Sequence, residues 1–225
     1  VLHDKLFVYC ILELCEGGDV LQFLKSSSIT VERNDSNTEN EPPKPVPYLS
    51  ENETVRIITQ ILKSLLYLHE NAKIIHRDIK LQNFLISTNN VVKLSDFGLS
   101  IKMEDIDQNK KATSICGTPN YLSPEVLTRN THSYAIDVWA IGVSTFIMLT
   151  GKQPFKSINK KSTFDKIFHV SYTWPPIPHV SETAKSFVDS VLRRNPHERP
   201  TVDVLLMHPF LKKPHHRQSF DTDMA

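Results

Sequence analysis

Between Val138 and Leu149 the chain runs through 12 residues that form its most apolar stretch, directly behind the carboxylate of Asp137. A bilayer crossing needs about 20 such residues. The run therefore reads as a buried helix, and the rest of the chain has to wrap around it. With 225 residues, 40% apolar and 23% charged, the chain can form one domain, or part of a larger one, with a sizeable core. Lys plus Arg number 26 and Asp plus Glu 25, for a formal charge of +1. That balance argues against a polyanion such as nucleic acid as the main partner. Cys10, Cys15 and Cys116 are too few and scattered for a disulfide framework or a four-ligand zinc site, so an intracellular, reducing setting is expected. The chain opens at Val1 with no basic-then-apolar segment, so neither a targeting signal nor a membrane partner is expected.

Strand and helix signals divide the chain unevenly. Leu6 to Leu12 is a continuous run of large apolar residues, which predicts a strand buried on both faces. Glu16-Gly17-Gly18-Asp19 breaks it, and Val20 to Leu24 begins a short amphipathic helix. Residues 26–49 are rich in Ser, Thr, Asn, Glu and then Pro, a composition that buries too little apolar surface to order itself. Ser50-Glu51-Asn52-Glu53 has the capping-box pattern. The helix it starts carries Val55, Ile58, Leu62, Leu65 and Leu66 on one stripe and is expected to end near His69. Phe84-Leu85-Ile86 and Val91 to Leu94, parted by Ser87-Thr88-Asn89-Asn90, predict a hairpin. No periodicity is evident from Asp96-Phe97-Gly98 to about Ser114, and helices punctuated by Pro and Gly fill Pro124 to Phe210. Strands early and helices late make an α+β class.

Three motifs stand in order: His76-Arg77-Asp78-Ile79-Lys80-Leu81-Gln82-Asn83, Asp96-Phe97-Gly98 and Ser123-Pro124-Glu125. In this set, spanning nearly the whole chain from Leu6 on, the sequence resembles the eukaryotic protein kinases. The resemblance implies a kinase-like fold and transfer of the ATP γ-phosphate to protein hydroxyls. Such transfer needs an acceptor hydroxyl held in line and cations on the transferring group. By resemblance Asp78 orients that hydroxyl and takes its proton, while Asn83 and Asp96 offer oxygen ligands to Mg²⁺. Lys80 approaches the γ-phosphate, and Thr118 in Gly117-Thr118-Pro119 bonds Asp78 and Lys80; both resemble the serine/threonine branch. Leu12 resembles the gatekeeper, and Glu13-Leu14-Cys15 the hinge whose Glu13 carbonyl and Cys15 amide pair with adenine. Leu85 resembles the pocket floor. Asp19 reads equally as a ribose ligand or a helix-start carboxylate.

Other matches imply scaffolding. Asp137 resembles the buried anchor of the catalytic loop, Glu125 and Arg199 a tying ion pair, and His76 with Phe97 part of a packed hydrophobic column. Arg77 resembles the arginine that pairs with an activating phosphate, with Ser114 as the site, Thr113 as its rival and an upstream kinase as the activator. Lys80-Leu81-Gln82-Asn83, Cys116-Gly117-Thr118-Pro119-Asn120-Tyr121 and His132 to Trp139 bring the chain nearest to the polo-like kinases. That likeness implies protein substrates and an intracellular location, cytoplasmic, nuclear or centrosomal.

A complete kinase begins with a Gly-rich loop, a strand Lys and a paired helical Glu, and this sequence has none of them. The expected layout is a small-lobe remnant and hinge over 1–15, a helical lobe over 16–211 with a disordered insertion at about 26–49, and a flexible tail over 212–225. Without its sheet neighbours the strand from Leu6 to Leu12 would present an unpaired edge. Two functions follow: an active serine/threonine kinase, impaired as this chain alone, or a catalytically impaired module that docks proteins.

Overall fold

The computed structural model describes residues 2–27, 29–31, 46–106, 116–130 and 132–212. In chain order the elements are β1 (Leu2–His3), β2 (Val8–Tyr9), α1 (Val20–Lys25), β3 (Thr30–Val31), β4 (Val46–Pro47) and α2 (Glu51–Leu66). They continue with β5 (Ile74–Ile75), β6 (Phe84–Ile86), β7 (Val92–Leu94), β8 (Ile101–Lys102), α3 (Pro124–Leu127), α4 (Ala135–Thr150), α5 (Lys160–Phe168), α6 (Glu182–Val191) and α7 (Val202–Leu206). The strands form four antiparallel pairs, β1–β2, β3–β4, β5–β8 and β6–β7. This is the α+β, kinase-like arrangement that the motifs imply, with the helical lobe dominant.

The apolar run after Asp137 is the central helix α4, buried on every side from Ile136 to Thr150. It packs against α6 and α2, which bring their own apolar stripes: Ala184, Phe187, Val188 and Val191 from α6, and Val55, Ile58, Ile61, Leu62 and Leu65 from α2. Burying each of these side chains contributes about 1.5–3 kcal/mol, which is why the helices converge on α4. Among the described residues no helix is long and apolar enough to cross a membrane.

Ser50 caps α2 by accepting from the Glu53 amide at 3.2 Å, but the Glu53 carboxylate turns to Arg56 Nε at 2.9 Å, so only half of the capping box forms. The α-helix stops at Leu66, and a π-helical turn carries the chain through Tyr67–Ala72 to Lys73 in the left-handed region. Three residues thus separate the end of α2 from the expected end at His69, and the wider turn buries His69 instead. The expected hairpin is β6–β7, with Phe84 opposite Leu94 and Ile86 opposite Val92.

Two expectations need correction. The run from Leu6 to Leu12 is not a strand buried on both faces. Only Val8–Tyr9 is extended, and it pairs with Leu2–His3. Leu6 is 83% exposed and Leu12 80% exposed, since nothing among the described residues packs over them. The stretch after Asp96-Phe97-Gly98 also holds structure that periodicity did not reveal. Ile101 enters β8 beside β5, and Ile101 and Ile106 join Ile75, Leu122, Val126 and Ile136 in a second apolar cluster. Of the proposed insertion, residues 32–45 lie outside the described residues. Its ends pair, Thr30 with Pro47 and Val31 with Val46, and the Leu49 amide donates to the Met148 carbonyl at 2.7 Å.

Glu125 and Arg199 lock α3 to the segment before α7 through two parallel bonds of 2.7 Å between nearly fully buried groups. Arg199 also donates to the Ala135 carbonyl at 2.9 Å. Removing one partner strands the other charge away from water. Arg199→Met is therefore expected to cost about 3–5 kcal/mol, read as a lowered urea midpoint.

Candidate active site

The site is built on the loop between β5 and β6. Asp137, in the first turn of α4, is 1% exposed and reaches across to this loop. Its Oδ2 accepts the His76 amide at 2.9 Å and its Oδ1 the Arg77 amide at 2.8 Å. His69 Nε2 lies 2.9 Å from the same Oδ2. A carboxylate only accepts, so the histidine donates there. Two consecutive amides aimed at one carboxylate bend the backbone, and Arg77 takes a left-handed φ of 67°.

That bend presents Asp78. Its Oδ1 accepts from Thr118 Oγ1 at 3.1 Å. Its Oδ2 accepts from Lys80 Nζ at 2.5 Å and from Asn83 Nδ2 at 3.2 Å. Asn83 Nδ2 also donates to the Asp78 carbonyl at 2.8 Å. Thr118 comes this close because Gly117 lets the chain pass: its φ is 104°, and a Cβ there would stand 3.0 Å from the Arg77 carbonyl, so only glycine fits without strain.

Asp96 joins from the other side. Ser95 donates from both its amide and its hydroxyl to the Asn83 carbonyl, at 2.9 and 3.1 Å. The next residue, Asp96, is exposed with φ at 63°, and its Oδ1 accepts the Gly98 amide at 3.3 Å. The structure thus brings Asp78, Lys80, Asn83 and Thr118 into direct contact and sets the Asp96 backbone beside Asn83. The Asp96 side chain bonds within its own turn. His76 and Phe97 rings pack at 4.9 Å, and His76 Nε2 lies 3.0 Å from the Ser95 carbonyl.

The segment holding Glu13, Gly17 and Gly18 runs beside β6–β7. The Gly17 amide donates to Ile86 and the Ile86 amide returns a bond to Gly18, at 2.9 and 2.8 Å. Glu13 pairs with Lys93, which stands opposite Leu85 in the hairpin. Among the described residues the Glu13 carbonyl and Cys15 amide make no hydrogen bond, which leaves both open to an adenine edge. Leu12 and Leu14 are exposed and form no wall. Asp19 resolves as the helix-start carboxylate, since its Oδ1 caps α1 by accepting the Gln22 amide at 2.9 Å.

Among the described residues no group of three or more His, Cys, Asp or Glu could hold a metal ion alone. The donors fit Mg²⁺ in another way. Both contacts of the Asn83 amide nitrogen go to Asp78, so its Oδ1 is the atom that this side chain could offer a cation. Mg²⁺ takes few protein oxygens and completes its shell with water and phosphate.

Arg77 donates from Nε to the Leu99 carbonyl at 2.5 Å, with Nη1 3.4 Å from His132 Nδ1. The expected phosphosites Ser114 and Thr113 lie outside the described residues. Sequence reasoning gives His69 and Tyr121 no role at the site: His69 reads only as a helix end and Tyr121 only as part of the string resembling the polo-like kinases.

A sequence model of the protein kinase domain matches residues 1–211. The chain is 36% identical to "Serine/threonine-protein kinase PLK4" of Aedes aegypti over 94% of its length and 24% of that protein's. Against the protein of that name from Nematostella vectensis it is 38% identical over 93% of the chain and 19% of the relative. Against "Probable serine/threonine-protein kinase CCRP1" of Zea mays it is 36% identical over 94% and 30%. The chain thus spans about a quarter of the length of these relatives.

Burial pushes the Tyr121 phenol up to about 12; a Leu81 backbone hydrogen bond opposes the rise, and the nearby Asp78 charge adds a smaller upward push. The unfolded chain loses this proton near the ordinary tyrosine value of 10. Between pH 10 and 12 the folded state therefore holds a proton that the unfolded state has released, and stability falls as pH rises. Tyr121→Phe is expected to remove about 2–3 kcal/mol of that alkaline loss, measured as a flatter urea-stability profile above pH 10.

Proposed function

The chain belongs to the protein kinase family, and on that premise we propose that it transfers the γ-phosphate of ATP to serine and threonine hydroxyls of protein substrates. One observation carries the reading: the Asp78 carboxylate is held on one oxygen by Thr118 and on the other by Lys80 and Asn83. A side chain fixed this way has one orientation in which to receive an acceptor hydroxyl and take its proton. Lys80, already 2.5 Å from Asp78, sets a positive charge beside the γ-phosphate. Mg²⁺ held by Asn83 Oδ1 and Asp96 would neutralise charge on the phosphate oxygens. The Glu13 carbonyl and Cys15 amide take the adenine edge, with Leu85 beneath it, while Leu12, the gatekeeper by resemblance, stands exposed.

The partners on this reading are protein substrates and an upstream kinase acting on Ser114 or Thr113, with Arg77 receiving the new phosphate. The polo-like subfamily and an intracellular, centrosomal setting rest on the sequence resemblance. A second reading, a module of this fold that docks proteins without transferring phosphate, is favoured by the exposure of Leu12 and Leu14 on the adenine side.

Transfer from radiolabelled ATP separates the two. Asp78→Asn is expected to lower it about 10²- to 10⁴-fold with Mg-ATP binding retained, whereas Asn83→Ala weakens that binding. A variant as active as the unaltered chain removes Asp78 from the chemistry. If the unaltered chain transfers no more than Asp78→Asn does, the docking module is the better description.

A further inference from the structure

We propose that the entry to α5 is a docking surface for membranes rich in anionic lipid. Between Gly151 and His169 the chain carries Lys152, Lys156, Lys160, Lys161 and Lys166, a single carboxylate at Asp165 and no arginine. Lys156, Lys160 and Lys161 are exposed, and Lys152 and Lys166 half-buried. Among the described residues none of the five forms an ion pair. Lys166 Nζ reaches back to the Lys156 carbonyl at 3.4 Å, which brings its charge to the loop ahead of α5. Lys160 Nζ hovers 5.4 Å from the Phe164 ring centre. Among these cations stands Ile158, 99% exposed.

Folding does not account for this composition. Asn159 caps α5, and Lys160 and Lys161 are its first two residues, with no acidic side chain in the first turn. The helix dipole there favours carboxylates and opposes cations. An isoleucine fully in water likewise adds nothing to the core.

The choice of residues distinguishes the partner. Protein interfaces are depleted of lysine and enriched in arginine and aromatic side chains, the reverse of this patch. Anionic lipid surfaces attract lysine clusters as diffuse positive charge, and an apolar side chain among them enters between the headgroups. The expectation of no membrane partner came from the lack of a basic-then-apolar segment, which does not register a surface cluster of lysines inside the fold. Phe164 of α5 packs against the apolar cluster that includes Val126 of α3, and α5 and α3 are in contact, so a membrane held here would lie at a fixed bearing to the candidate active site. The inference does not depend on phosphate transfer.

The test is co-sedimentation of the 225-residue chain with phosphatidylcholine vesicles, with and without phosphatidylserine at about 30 mol %. Binding is expected only to the anionic vesicles, and is expected to weaken with added salt. Lys160→Gln and Lys161→Gln should each reduce it about fivefold, and Ile158→Ser about tenfold. All three side chains are exposed, so the variants keep the fold, and Leu6 to Leu14 stay unchanged as an internal control. The proposal is overturned if the chain ignores anionic vesicles, binds neutral ones equally, or binds the same in all three variants. Binding to polyglutamate that depends on the lysines and not on Ile158, without vesicle binding, would overturn it in favour of an acidic protein partner.

Discussion

The carboxylate of Asp137 accepts two consecutive backbone amides and a histidine from inside the protein. A buried carboxylate without such partners costs several kcal/mol; with three donors it becomes a fixed point. Because Asp137 belongs to the first turn of α4, a helix buried on every side, the backbone of the loop that carries Asp78 is tied directly to the core. The left-handed Arg77 then follows. A non-glycine residue in that region costs about 1–3 kcal/mol, and the two bonds to Asp137 hold it there.

Asp78 is the beneficiary. Its neighbours arrive from separate parts of the chain: Lys80 and Asn83 from the same loop, Thr118 from beyond the second motif. Each depends on a local device, such as the room that Gly117 leaves under the Arg77 carbonyl and the two Ser95 bonds that hold the second motif against Asn83. Glu125 and Arg199 secure the far end of the same segment. The site is thus assembled by backbone geometry before any ligand contact.

The helical lobe was legible because its signals are local. The stripe on α2, the cap at Ser50 and the apolar run of α4 each follow from residue spacing, and the ordered motifs identify Asp78, Asn83 and Asp96 as a set. The pairings that hold the set were legible only through resemblance, since nothing in the residues of Asp137 or Arg199 names a partner tens of positions away. The Leu6–Leu12 run misled because an apolar run specifies a wish for burial and not its fulfilment, which depends on what packs above it. Ile101 and Ile106 went unread because two isolated apolar residues make no period, although tertiary packing gathers them into a cluster.

Gly17 sits so close to Ile86 that a Cβ would meet its carbonyl at 2.8 Å, and reciprocal amide bonds join the two segments. The backbone that would face an adenine and the hairpin leading to Ser95 and Asp96 are therefore one stiff piece. On the proposed reading, the distance between the backbone facing the adenine and the residues facing the phosphates would then be set when the chain folds, and a nucleotide would spend little ordering entropy on entry.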